Sequence, residues 1–111
     1  MDITTRNDSG VMVVKVIGRL DSVTGLEFEE KSAEWMDIAN ARIVIDCSEL
    51  EYISSYGLRT LLAMTKKLSD SCGKLAICGL SGLVQEVVTV SGFDTIIPIF
   101  DDAETAVSGL Q

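Results

Sequence analysis

The sequence predicts an α/β fold, a single domain with a mixed β-sheet, an amino-terminal hairpin, and helices alternating with central parallel strands. Three observations lead there. Two β-rich segments at the start flank a cluster of turn formers, later β-branched runs are short and continuously apolar, and the segments between those runs repeat their apolar residues at helical spacing. Strands separated by helices run parallel, with right-handed crossovers. A chain of 111 residues, 47% apolar and 23% charged, fits one domain over 1–111 with a core of its own.

Ile3 and Thr5, then Val11-Met12-Val13-Val14-Lys15-Val16-Ile17, read as the hairpin strands, and Asn7-Asp8-Ser9-Gly10 as their turn. Gly18-Arg19-Leu20-Asp21-Ser22 ends the second strand. Thr24 with Glu27 three residues on has capping-box spacing and predicts a helix from Thr24 to about Ala39, with Phe28, Ser32, Trp35, Met36 and Ala39 facing inward. Phe28 and Trp35 at that spacing are expected to be core anchors. Ile43-Val44-Ile45 reads as a strand covered on both faces, ending at Asp46. From Ser55 onward, Leu58, Leu61, Leu62, Thr65 and Leu68 predict a second amphipathic helix, stopped by Ser71-Cys72-Gly73. Arg59, Lys66 and Lys67 lie off its apolar stripe, as a solvated face or a docking stripe. Lys74 to Cys78 is another buried strand, and Gly79 to Gly82 turns into a helix through Leu83, Val84, Val87, Val88 and Val90 that Ser91-Gly92 closes. Ile96-Ile97-Pro98-Ile99-Phe100 has the proline of an edge strand, and Asp101 to Val107 begins a terminal helix.

Composition narrows the function. Seventeen acidic against nine basic residues give a formal charge of −8, which argues against nucleic acid or an anionic membrane as partner. The sequence shows neither a membrane-length apolar run nor a signal peptide at its start, so a cytoplasmic location is expected. With no histidine, neither a histidine-activated nucleophile nor a cysteine–histidine zinc set can form. Cys47, Cys72 and Cys78 lack CxxC spacing and read as reduced, largely buried thiols rather than nucleophiles. The glycines form neither a P-loop nor GxGxxG, and no metal or cofactor is expected. Asp21 and Asp46 fit turn formation, capping or partner contact better than catalysis. The chain is expected not to be an enzyme.

That leaves Tyr52-Ile53-Ser54-Ser55-Tyr56-Gly57-Leu58-Arg59, two adjacent hydroxyls following a central strand, at the sheet end where open α/β sheets meet their ligands. Ser55 reads either as a helix N-cap or as a phosphate acceptor. Gly57 costs about 1 kcal/mol in helix propensity relative to alanine. Close approach of another backbone or of a partner accounts for it at this level, and the partner is the expectation adopted.

The stretch Ile45-Asp46-Cys47-Ser48-Glu49-Leu50-Glu51-Tyr52-Ile53-Ser54-Ser55-Tyr56-Gly57-Leu58-Arg59-Thr60-Leu61-Leu62 resembles the signature of the STAS domain, the fold shared by sulfate transporters and bacterial anti-sigma factor antagonists. Gly18-Arg19-Leu20-Asp21 with its acidic helix is similar to that family's opening, and Val90-Ser91-Gly92-Phe93-Asp94-Thr95-Ile96-Ile97-Pro98-Ile99-Phe100-Asp101 to its close. In the family the switch serine stands two residues before the glycine of a Gly-Leu pair, which implies Ser55, with Ser54 the second choice. The sequence departs from the best-known members at Ser54, where they carry aspartate, and at Tyr56, where they carry a small residue. The resemblance implies an anti-sigma factor antagonist in a partner-switching pathway. Unphosphorylated, it would bind an anti-sigma factor serine kinase; phosphorylation of Ser55 would release it, and a serine phosphatase would reset it. Asp21, Ser54, Ser55, Tyr56, Gly57 and Arg59 are the expected partner contacts. The alternative is an accessory or ligand-binding STAS domain of sulfate-transporter type.

Overall fold

Ser9 and Gly10 supply a two-residue turn with φ of 55° and 84°, the left-handed pair whose twist suits a hairpin. It joins β1 (Asp2–Asp8) to β2 (Val11–Leu20), antiparallel from Asp2 opposite Ile17 to Asp8 opposite Val11. The computed structural model describes residues 1–111, and its further elements are α1 (Thr24–Trp35), β3 (Arg42–Asp46), β4 (Leu50–Ile53), α2 (Ser55–Asp70), β5 (Lys74–Cys78), α3 (Gly82–Val90), β6 (Ile99–Phe100) and α4 (Ala103–Leu110). The sheet order is β1-β2-β3-β5-β6, with every pair after the hairpin parallel, while β4 pairs with the far end of β2.

Strand alternation divides the apolar residues between two faces. Val14, Val16, Ile43, Ile45, Leu75 and Ile77 face the larger core, which α1, α2 and α3 close with Phe28, Leu61, Met64, Leu68 and Val84. Val11, Val13, Val44, Ala76 and Cys78 face the other side, where α4 alone covers them with Ala106, Val107 and Leu110. Both faces of β3 are therefore covered, as its continuous β-branched run predicts.

Three elements differ from the sequence expectation. The first helix ends at Trp35 rather than near Ala39: Asn40 adopts φ 61°, a left-handed conformation that asparagine tolerates, and Ile38 beyond the helix end is left exposed. The capping box at Thr24 and Glu27 does not form, because Val23 is the N-cap residue and the first N–H groups are met by Asp21. The edge strand shrinks to Ile99–Phe100. A 3-10 turn occupies Phe93–Thr95 ahead of it, and Ile97 is buried in the larger core instead of alternating along a strand.

Phe28 and Trp35 hold α1 to the sheet, their rings edge to face at 5.6 Å between centroids and 72° between planes. Phe28 is fully buried. Phe28→Ala is expected to cost about 3–5 kcal/mol, measured as a lower urea midpoint with an unchanged transition slope.

Candidate functional site

The site is built where two strand ends meet. β2 shifts register between Gly18 and Arg19 and then runs beside β4, with Leu20 opposite Ile53. β4, too short to show a period in the sequence, brings the chain back along β2 before α2 begins. The Ser54 N–H donates to the Leu20 carbonyl at 2.9 Å. The segment leaving β2 toward α1 and the one leaving β4 toward α2 are thereby fixed side by side.

Ser54, not Ser55, is the N-cap of α2. Its backbone is extended, with φ −92° and ψ 172°, its hydroxyl oxygen accepts the Gly57 N–H at 3.2 Å, and its carbonyl accepts the Leu58 N–H at 3.0 Å. The bland reading of the pair thus falls on the first serine. Ser55 is the first helical residue, exposed, with its hydroxyl in no hydrogen bond of the protein. The Ser54 hydroxyl cannot turn away without leaving the Gly57 N–H unmet, whereas the Ser55 hydroxyl is in no hydrogen bond of the protein.

Gly57 has an internal cause. A Cβ there would stand 2.9 Å from the Leu20 carbonyl oxygen, 2.9 Å from Ile53 Cγ1 and 3.0 Å from Leu20 Cγ. The residue is buried against β2 and β4, so of the two close approaches the sequence allowed, the one found is to the backbone of the protein itself, and the expectation of a partner is corrected. It lets α2 lie on the strand ends closely enough for the Ser54 cap to form.

Tyr56 is half-buried and turned toward α1. Its ring covers Gly25, where a Cβ would stand 2.6 Å from Cδ1, and its hydroxyl donates to Glu29 Oε2 at 3.1 Å. Hydrogen bonding to the Glu29 carboxylate, then burial, raises the phenol above its ordinary range. Arg59 is exposed, its guanidinium 5.9 Å from the Tyr56 ring centroid. Lys66 and Lys67 are exposed further along the same helix.

Asp21 closes the other side. Its Oδ1 accepts the Val23 N–H at 2.9 Å, the Thr24 N–H at 3.0 Å and the Thr24 hydroxyl at 3.2 Å, while Oδ2 lies 3.6 Å from Arg19 Nε. The backbone N–H groups of Thr24 and Val23 hold its carboxyl below the usual range. Capping is the role the sequence allowed it. Beside it Val23 is 82% exposed. Between α2 and α3, Leu58, Leu83, Val87 and Val90, with Glu86 and Ser91, line an open, mostly apolar groove of about 420 Å³, with Val90 86% exposed. Ser55 and Arg59 on α2, and Val23 and Asp21 at the neighbouring start of α1, thus reach the surface, while Gly57 belongs to the framework that joins the two. Sequence reasoning missed Gly25 and Glu29. A glycine in the first turn of α1 was the available signal, the counterpart of Gly57 in α2.

Two of the three cysteines are buried and held as thiols. Burial drives the Cys47 thiol well above the usual range and pushes Cys78 up to about 12. Cys72, expected to be buried with them, is exposed at φ 61° just past the end of α2.

The STAS domain family model matches residues 2–106. The chain belongs to the STAS domain family. BtrV of Bordetella bronchiseptica, assigned as a candidate anti-sigma factor antagonist, is 32% identical over 111 residues, spanning 100% of this chain and 96% of its own. RsfB of Mycobacterium tuberculosis, an anti-sigma-F factor antagonist, is 26% identical over 109 residues, spanning 98% and 88%. The crystal structure of an anti-sigma factor antagonist from Mycobacterium paratuberculosis superposes with a TM-score of 0.90 at 25% identity, covering 98% of this chain and 92% of the other.

Two measurements check these assignments. Ser54→Ala should cost about 1 kcal/mol and Ser55→Ala less than about 0.5 kcal/mol, while Gly57→Ala should lose about 1–2 kcal/mol because overlap with a fixed backbone oxygen outweighs the gain in helix propensity; chemical denaturation ranks the three. Alkylation with iodoacetamide should modify Cys72 in the folded protein and reach Cys47 and Cys78 only on unfolding.

Proposed function

We propose that the chain is an anti-sigma factor antagonist that acts by binding, and that Ser55 is its switch. The observation that carries this reading is the division of labour at the start of α2: Ser54 is committed to the cap, and Ser55 is exposed and unbonded on a rigid helix start. The names borne by BtrV and RsfB supply the class of partner. In the unmodified state the surface around Ser55, Arg59 and Asp21, with the apolar groove beside Leu58, docks an anti-sigma factor of the serine-kinase type.

The kinase transfers the γ-phosphoryl group of ATP to Ser55 Oγ; the new P–O bond replaces the one to ADP, and the hydroxyl proton passes to a base on the kinase. A serine phosphatase reverses the state by hydrolysis, water taking the phosphoryl group and Ser55 recovering its proton. The phosphate adds about −1.5 to −2 charge to a packed, partly apolar interface. Its desolvation there opposes docking, while the fold tolerates it because the first-turn N–H groups and the positive end of the helix dipole favour an anion at that position.

Incubation with the cognate kinase and ATP, followed by peptide mass spectrometry, should place the phosphate on Ser55; phosphate on Ser54 alone refutes the assignment. Ser55→Asp should keep the wild-type circular dichroism spectrum and melting temperature, yet lose more than about a hundredfold in affinity for the kinase-type partner, equivalent to about 3 kcal/mol. Ser55→Ala should bind as wild type does.

A further inference from the structure

We infer that Arg59 is the internal counter-ion of a phosphate on Ser55, so that modification removes the guanidinium from the docking face together with the serine hydroxyl. This rests on the Ser55 reading above and deepens it. Ser55 and Arg59 stand four residues apart on α2 and both are exposed, the spacing at which helical side chains meet. The ion pairs of the chain use Arg6, Lys15, Arg19 and Lys31. Arg59 is in none of them and rests over the Tyr56 ring.

Of the carboxylates on neighbouring elements, Glu86 of α3, exposed in the groove beside Leu58, is in no ion pair of the chain. A phosphate four residues from Arg59 on its own helix outweighs its single charge; the other two are engaged. Glu29, facing from α1, accepts the Tyr56 hydroxyl. Asp21, next to the Leu20 carbonyl that receives the Ser54 N–H, is held by Val23, Thr24 and Arg19. A phosphate at Ser55 presents three acceptor oxygens to a planar guanidinium fork that matches them in pairs. The order is also the favourable one, acid on the amino-terminal side and base four residues on. Charge-assisted bonds of this kind outweigh an exposed cation–π contact. Arg59 therefore turns from the ring to the phosphate, while Tyr56 stays behind, fixed by Gly25 and Glu29. The modified surface is then a closed ion pair with about −0.5 to −1 net charge remaining, rather than a bare dianion beside a free arginine, and a partner loses two contacts through one transfer.

The test uses the full chain with phosphoserine genetically encoded at position 55, which removes any dependence on a kinase. Phosphorus NMR should show the second ionisation of that phosphate about threefold easier in wild type than in Arg59→Gln, with Arg59→Lys in between and the difference shrinking at about 1 M salt. In wild type, the Arg59 Nε proton resonance should shift when a phosphatase strips the phosphate. Identical titrations in wild type and Arg59→Gln, or an unmoved Arg59 resonance, would overturn the pairing and leave Ser55 as the switch. Kinase mapping to another residue would refute the Ser55 reading without touching this measurement.

Discussion

One carbonyl organises the site. The Leu20 oxygen ends the ladder of β2, receives the Ser54 N–H at 2.9 Å, and lies where any side chain on Gly57 would have to be. A hydrogen bond of this kind contributes only about 1 kcal/mol net to stability. Its weight is geometric. It places the start of α2 against the segment that carries Asp21, so residues more than thirty positions apart in the chain share one surface. Without glycine at 57 the helix would be lifted off that oxygen, and the Ser54 cap and the exposure of Ser55 both follow from its staying down.

Adjacent serines thus acquire opposite characters from a rotation of one helical position. Ser54 has an extended backbone and an oxygen aimed into the first turn; Ser55 has begun the helix and points its hydroxyl to solvent. A phosphate on Ser54 would have to break the bond to the Gly57 N–H, whereas one on Ser55 displaces nothing. On the proposed function, the backbone distinguishes two identical side chains in favour of Ser55, the residue the family resemblance implies.

The layer around this point is tied together by specific contacts. Tyr56 closes the gap between α1 and α2 by lying on Gly25 and bonding Glu29, and Asp21 locks the turn into α1 with three hydrogen bonds to Oδ1. On the proposed function, a charge placed at Ser55 would meet these fixed contacts and act at the surface rather than be absorbed by local rearrangement. Only long exposed side chains such as Arg59 remain free to respond.

The alternation of apolar periods in the sequence determined the α/β class, the hairpin, the helices and the strand covered on both faces, because burial on a sheet or a helix stripe imposes those periods on the chain itself. The ordered motifs around Gly18, Ser55 and Ser91 likewise carried the family. Tertiary structure decided the rest. β4 was too short to show a period, and its existence depends on the far end of β2. Whether Ser54 or Ser55 caps α2 is a matter of one residue, finer than helix boundaries can be read from pattern. The reason for Gly57 was invisible because the oxygen it avoids belongs to Leu20, thirty-seven positions earlier in the sequence and adjacent only once the chain has folded.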